Sequence, residues 1–296
     1  MKILIFGHQG QVGTSLTTNV SAAGHEVVGL DREQIDFGDG NAVKSAITTH
    51  APDLVINVCA YTAVDKAEEE TQLADAVNHL GVAAMAEQCA NDDIVCFHIS
   101  TDYVYAGDAN TPYLEDAPTA PLSVYGKTKL AGDQALIAAR AKHIILRTSW
   151  VFGEHGNNFV KTMLRLAGSR DELSVVADQH GRPSYAGDIV SSLLAFVERL
   201  DRDKTLPWGI YHCCSEGETT WHGFAQAIFT RAVELQLLAK APLVHPIPTS
   251  GYPTPAPRPA YSVLNTDKLS DFLGQPLPHW QKGLDQVLQH LKQLDA

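Results

Sequence analysis

"KILIFGHQGQVG", residues 2–13, decides the fold. A short aliphatic run ends at Gly7, and Gly10 and Gly13 follow at G-x-x-G-x-x-G spacing before a helix-forming stretch begins. Glycine permits a tight strand-to-helix turn, lets a pyrophosphate approach the backbone, and lets the helix pack closely on its sheet. The unpaired N–H groups and positive dipole end of that helix would then face phosphates. No G-K-[ST] follows at the spacing a P-loop requires. Asp31, 18 residues after Gly13, closes a second apolar run, where a carboxylate can accept hydrogen bonds from ribose hydroxyls. Asp31 favours NADH by repelling a 2′-phosphate, while the adjacent Arg32 could pair with one, so NADPH or NADH is the expected cofactor.

Outward from that turn, residues 26–30, 53–57, 94–100 and 143–149 are further short, almost continuously apolar runs, as strands buried on both faces must be. Helical spacing at 11–23, 41–50, 72–90 and 124–140 alternates with them. This alternation predicts an α/β chain with a doubly wound parallel sheet of Rossmann type, residues 1–150 forming the dinucleotide-binding core. Residues 151–296 are expected to form mainly a smaller C-terminal substrate-binding lobe, with later segments returning to the core. Strands are predicted at 172–177 and 209–213, and helices at 186–200, 220–238 and 280–293. The proline-rich stretch 241–262 is expected to be an ordered loop across the smaller lobe rather than a linker.

The 296 residues are 45% apolar and 19% charged, an ordinary globular composition. A net charge of -12 argues against a nucleic-acid backbone or an anionic membrane as partner. The amino terminus turns polar too early for a signal peptide or a membrane span, and no other apolar run approaches the required length, so a cytoplasmic location is expected. Cys59, Cys89, Cys96, Cys213 and Cys214 form no C-x-x-C pair, and neither a disulfide framework nor a metal site is expected.

Tyr125 and Lys129 lie one helical turn apart in "LSVYGKTKLAG", residues 122–132. Such a pair is either a solvated couple or a proton donor with the cation that tunes it. A phenol of pKa near 10 is a poor acid at neutral pH, and a nearby ammonium would lower that value. Thr101 ends the fourth predicted strand in "HISTDYVY", where doubly wound folds gather ligand groups. The glycine turn, Thr101 and the Tyr125–Lys129 pair occur in the order that favours the catalytic reading.

With these segments, "CAYTAVDKAE" (59–68), "LRTSWVFG" (146–153), "GNNFVKTMLRLA" (156–167), "ADQHGRPS" (177–184) and "RPAYSVLNTDKL" (258–269), the chain resembles the extended short-chain dehydrogenase/reductase superfamily. Within it, the sequence is similar to the dTDP-4-dehydrorhamnose reductase family over nearly its whole length. The resemblance implies reduction of the C4 ketone of dTDP-4-dehydro-L-rhamnose to dTDP-L-rhamnose, the last step in making that sugar donor. Tyr125 would be the acid, Lys129 its tuner and ribose anchor, and Thr101 the group orienting the carbonyl. It also implies cofactor contacts at Gly7, Gly10, Gln11, Val12, Gly13, Asp31, Arg32, Asp36, Phe37, Ala60, Tyr61 and Thr62. Thr101, Asp102, Trp150, Asn158, Gln179 and Arg258 would meet the substrate, with Arg258 suited to a diphosphate.

Two departures qualify the resemblance. His180 stands where an aromatic is expected. Ser15 occupies the position at which some bacterial members use a glutamate to hold magnesium between subunits, so a homodimer, if formed, is not expected to be metal-bridged. Rival readings are an epimerase or dehydratase on the same fold and a non-catalytic subunit of the methionine adenosyltransferase type. Tyr103 in place of the glutamate of "T-D-E" patterns argues against dehydration, and the intact Thr101, Tyr125 and Lys129 argue against a retired site.

Overall fold

A computed structural model describes residues 1–294; positions 295 and 296, the end of the second expected unit, lie outside the described residues. In chain order the elements begin β1 (Lys2–Phe6), α1 (Gly13–Ala22), β2 (Glu26–Leu30), α2 (Gly40–His50), β3 (Leu54–Asn57), α3 (Thr71–Asp75), α4 (Gly81–Asn91), β4 (Val95–Thr101), α5 (Val124–Ala138) and β5 (His143–Thr148). There follow β6 (Val151–Phe152), α6 (Phe159–Ala167), β7 (Glu172–Val176), β8 (His180–Gly181), β9 (Ser184–Tyr185), α7 (Ala186–Asp203) and β10 (Gly209–His212). The last elements among the described residues are β11 (Thr219–Thr220), α8 (Trp221–Glu234), β12 (Leu243–Ile247), α9 (Asp267–Leu273) and α10 (Trp280–Leu294).

Six parallel strands form the central sheet in the order β10-β5-β4-β3-β1-β2. Ile3, Ile5, Ile56, Phe97 and Leu146 face one layer containing α1, α7 and α9, where Leu16, Leu193, Phe196 and Leu269 meet them. Leu4, Phe6, Val55, Cys96 and Ile145 face the other, against Val43 of α2, Met85 of α4 and Leu136 of α5. Burial on both faces explains the continuous apolar strands, each large side chain contributing about 2 kcal/mol of transfer free energy. The strand order reverses at β1, so the crevice at the carboxyl ends of β1 and β3 is where such a sheet takes a ligand.

A smaller lobe has its own core of Phe152, Val160, Val175, Phe224, Ile228, Trp280 and Leu284, drawn from β6, α6, β7, α8 and α10. The division at residue 150 is therefore crossed: α7 and β10 both follow it, yet both pack in the first core. The stretch 241–262 is ordered, but it also contains β12, paired in parallel with β7. The helix expected over 72–90 is α3 and α4 joined by a π turn at Ala76–Leu80. The sequence pattern does not anticipate α6, α9 or β12, nor the two-residue strands β6, β8, β9 and β11. Among the described residues no helix is long and apolar enough to cross a membrane.

Candidate active site

The glycine turn joins β1 to α1. Gly7 has φ +84° and lies so close to Cys59 that a Cβ would stand 2.9 Å from its Cα, while a Cβ at Gly13 would collide with the Gly7 carbonyl oxygen. Gly7 N–H donates to the Leu30 carbonyl at 2.7 Å, fastening the turn to the end of β2. Among the described residues the N–H groups of Gln11, Val12 and Gly13 have no backbone acceptor, and α1 carries no acidic side chain in its first turn. That cradle fits a pyrophosphate by its free donors, its dipole and its lack of Cβ atoms.

Asp31 follows β2 and is 8% exposed; its Oδ1 accepts from Glu33 N–H at 2.8 Å, and Arg32 beside it is exposed. Asp36 accepts from Gly38 N–H at 2.8 Å, whereas Phe37 is buried edge-on against Phe6, so its ring belongs to the core. Beyond β3, the segment Ala60–Thr62 is held by Asn78, whose side chain accepts from Tyr61 N–H at 2.9 Å and donates to the Tyr61 carbonyl at 3.1 Å. The Tyr61 hydroxyl bonds Glu70, which pushes the phenol up to about 12.

Ser123 caps α5 by accepting from Gly126 N–H, and the Glu68 carboxylate accepts from Val124 N–H at 2.9 Å, a negative charge where the helix dipole welcomes one. This anchors a helix face on which Tyr125, Lys129 and Asp133 recur every four residues, all buried. Tyr125 packs edge-on against Tyr103, with ring centroids 5.4 Å apart. Burial pushes its phenol well above the ordinary value; the Thr101 hydroxyl beside it acts in the opposite sense. The Lys129 ammonium, expected to act on this phenol, is itself held by two other groups. Lys129 Nζ donates to the Ile99 carbonyl at 2.8 Å and lies 3.2 Å from His98 Nε2. Burial lowers Lys129 to about 8, while Asp133 and Cys59 act to raise it.

Thr101 ends β4 and donates to Asp102 Oδ1 at 3.0 Å. Asp102 is 2% exposed, and burial raises it to about 6 against the hydrogen bonds of Ser262 and Thr101. Thr101, Asp102, Tyr125 and Lys129 thus gather at the carboxyl end of β4, in the sheet that carries the cradle.

The outer residues are more dispersed. Arg258 pairs with Asp65 at 2.7 Å and donates to the Tyr103 hydroxyl at 3.2 Å, which ties the proline-rich stretch to this cluster. Trp150 has φ +45° and stacks on Trp221 at 3.6 Å, so one indole face is already covered. Asn158 caps α6 and donates to Gln11 Oε1 at 2.8 Å, joining the smaller lobe to the glycine turn. Gln179 donates to Thr249 at 3.1 Å, and His180 pairs with Glu218 at 2.9 Å.

Sequence reasoning missed Glu68, Asn78, His98 and Asp133. Only Asp133 carried a local signal, as the next member of the four-residue repeat after Tyr125 and Lys129.

The family model described as RmlD substrate binding domain matches residues 1–293. A dTDP-4-dehydrorhamnose reductase of Aggregatibacter actinomycetemcomitans is 44% identical over 287 residues, covering 97% of this chain and 98% of that protein. Among solved structures, the dTDP-4-dehydrorhamnose reductase of Clostridium acetobutylicum superposes with a TM-score of 0.90 at 35% identity, over 99% of this chain and 100% of the other. The dTDP-4-dehydrorhamnose reductase of Bacillus anthracis in complex with NADP gives a TM-score of 0.89 at 33% identity, over 98% of this chain and 99% of that one.

Proposed function

The chain belongs to the dTDP-4-dehydrorhamnose reductase family, and from that premise we propose that it reduces the C4 ketone of dTDP-4-dehydro-L-rhamnose to dTDP-L-rhamnose with NADPH or NADH. The observation that carries this reading is the burial of a protonated phenol, Tyr125, beside the Thr101 hydroxyl at the end of β4, in the same sheet as an unneutralised cradle at α1.

When bound, the reduced nicotinamide supplies a hydride to the ketone carbon. Thr101 orients the carbonyl oxygen, and Tyr125 donates its proton to the alkoxide that develops there. A phenol raised by burial remains in the acid form at neutral pH, the form a reduction needs. The Lys129 ammonium has three donors and uses one on Ile99, which leaves N–H available for ribose hydroxyls. Gln11, Val12 and Gly13 hold the pyrophosphate through their free N–H groups, Asp31 reads the adenosine ribose, and Ala60–Thr62 line the nicotinamide half. Arg258 is a diphosphate ligand held ready by Asp65, with Asp102, Trp150, Asn158 and Gln179 completing the sugar-nucleotide side.

Residues 151–296 contribute mainly the substrate lobe, and the enzyme works in the cytoplasm. Self-association, where it occurs, proceeds without a magnesium bridge. Ser15 opens on a cavity of about 510 Å³ whose carboxylates are already engaged, Glu154 by the Tyr185 hydroxyl at 2.6 Å and Asp188 by Ser215 at 2.6 Å, and Lys282 adds a cation there.

The test is an absorbance assay of reduced coenzyme with dTDP-4-dehydro-L-rhamnose. One coenzyme oxidised per sugar reduced supports the reading; turnover without net coenzyme oxidation, or none, overturns it.

A further inference from the structure

His8 lies inside the glycine turn but belongs to none of its phosphate-binding positions. Its ring is seated on Gly29 of β2, where a Cβ would come within 2.5 Å of His8 Cγ. The seat aims Nε2 at Asp31, 3.4 Å from Oδ2, with side-chain exposures of 23% and 9%. Nε2 itself is buried without a hydrogen-bond partner. The charged groups in the turn beside it are Asp31, Arg32 and Glu33; Asp31 Oδ1 is taken by Glu33 N–H, and Gln34 accepts from Asp31 N–H at 2.9 Å. The free oxygen of the ribose-reading carboxylate therefore shares its space with one titratable ring.

We propose that His8 sets coenzyme choice: protonated, it cancels the charge of Asp31 and admits an adenosine 2′-phosphate; neutral, it leaves Asp31 to reject one. The two protonation states of an imidazole thus present opposite electrostatics to the free oxygen of Asp31. Arg32 supplies a pH-independent cation on the solvent side, and His8 adjusts the balance from the protein side. The proposal rests on the reading of Asp31 as the group that meets the ribose.

Equilibrium dissociation constants for NADPH and NADH, measured at pH 6 and pH 8 by fluorescence titration, test both levels. The preference for NADPH over NADH in the unaltered protein is expected to fall roughly fivefold to tenfold from pH 6 to pH 8. His8→Gln is expected to show the low preference at both values, and His8→Lys the high preference at both. Because 2′-phosphate ionises near pH 6 itself, the comparison with His8→Gln isolates the part due to the ring. A His8→Gln protein that tracks the unaltered one at both pH values overturns the proposal, as does a His8→Lys protein with no gain at pH 8. Asp31→Asn separates the two levels: a raised preference at pH 8 supports the ribose reading whatever His8 does, and no change removes that reading and the proposal with it.

Discussion

His98 Nε2 lies 3.2 Å from the Lys129 ammonium nitrogen, and both side chains are buried. The Asn57 side-chain oxygen Oδ1 accepts from Cys59 N–H, so its side-chain nitrogen Nδ2 is the atom that meets His98 Nδ1 at 3.1 Å. Nδ1 is then an acceptor, and the single proton of the neutral ring sits on Nε2, facing the lysine. Burial, with Lys129 adding to it, keeps His98 well below its ordinary value, so the ring is neutral. An N–H opposite an ammonium favours neither partner, and burial is what lowers the lysine.

Lys129 at about 8 predicts an alkaline limb in the pH profile. The ammonium is present below that value and lost above it, so kcat/KM for the coenzyme should fall as pH rises through about 8, this ratio reporting the free enzyme. His98→Gln can place a carbonyl oxygen opposite the ammonium and should move the limb to higher pH. A limb that stays in place would show that His98 does not act on Lys129.

Tyr125→Phe removes the proposed proton donor while keeping the ring that packs against Tyr103. A fall in kcat of roughly 10²–10⁴ is expected, the usual range for general acid catalysis, with coenzyme affinity nearly unchanged. Steady-state kinetics with a parallel coenzyme titration separates the two. Undiminished turnover would assign the proton to another group.

What could be read from the chain depended on how local the chemistry was. The turn at Gly7–Gly13 and the Tyr125–Lys129 pair are spacings within one or two elements, and each is visible without the fold. Glu68, by contrast, reaches Val124 across 56 residues, and His98 reaches Lys129 across 31. Only the parallel sheet and its crossovers bring such groups together. Phe37 and Trp150 show a second limit: the Phe37 ring fills the core against Phe6 and one face of the Trp150 indole is taken by Trp221, contacts made by packing that no local spacing reveals. The second half was less legible because its segments alternate between two cores, with α7 and β10 returning to the central sheet.

Asp133 accepts from Arg147 Nε at 3.1 Å, with the two side chains 0% and 3% exposed. Asp133→Asn leaves that guanidinium without a countercharge and should cost about 3–5 kcal/mol, since breaking a buried pair strands the remaining ion. Urea denaturation measures it. The double variant Asp133→Asn with Arg147→Met should recover much of the loss, because no buried charge is then left unpaired. The single variant should also shift the alkaline limb to lower pH, since Asp133 raises Lys129. A loss under about 1 kcal/mol, typical of a solvated pair, would contradict this assignment.

Asp102 gives a stability prediction with a defined sign. Burial raises its carboxyl from 3.8 to about 6, against the hydrogen bonds of Ser262 and Thr101. Between those values the folded protein binds the proton more tightly than the unfolded chain, so the group's contribution is fully present below about pH 4 and is lost as pH rises through about 6. The difference of about two pKa units corresponds to as much as about 3 kcal/mol. Asp102→Asn keeps an oxygen for the Thr101 hydroxyl and carries no charge at any pH. Thermal denaturation at pH 4.5 and pH 8 should therefore show the variant gaining on the unaltered protein as pH rises, with most of the change below pH 7. A gap between the two proteins that is the same at both pH values would mean that Asp102 is not protonated with unusual ease in the folded state.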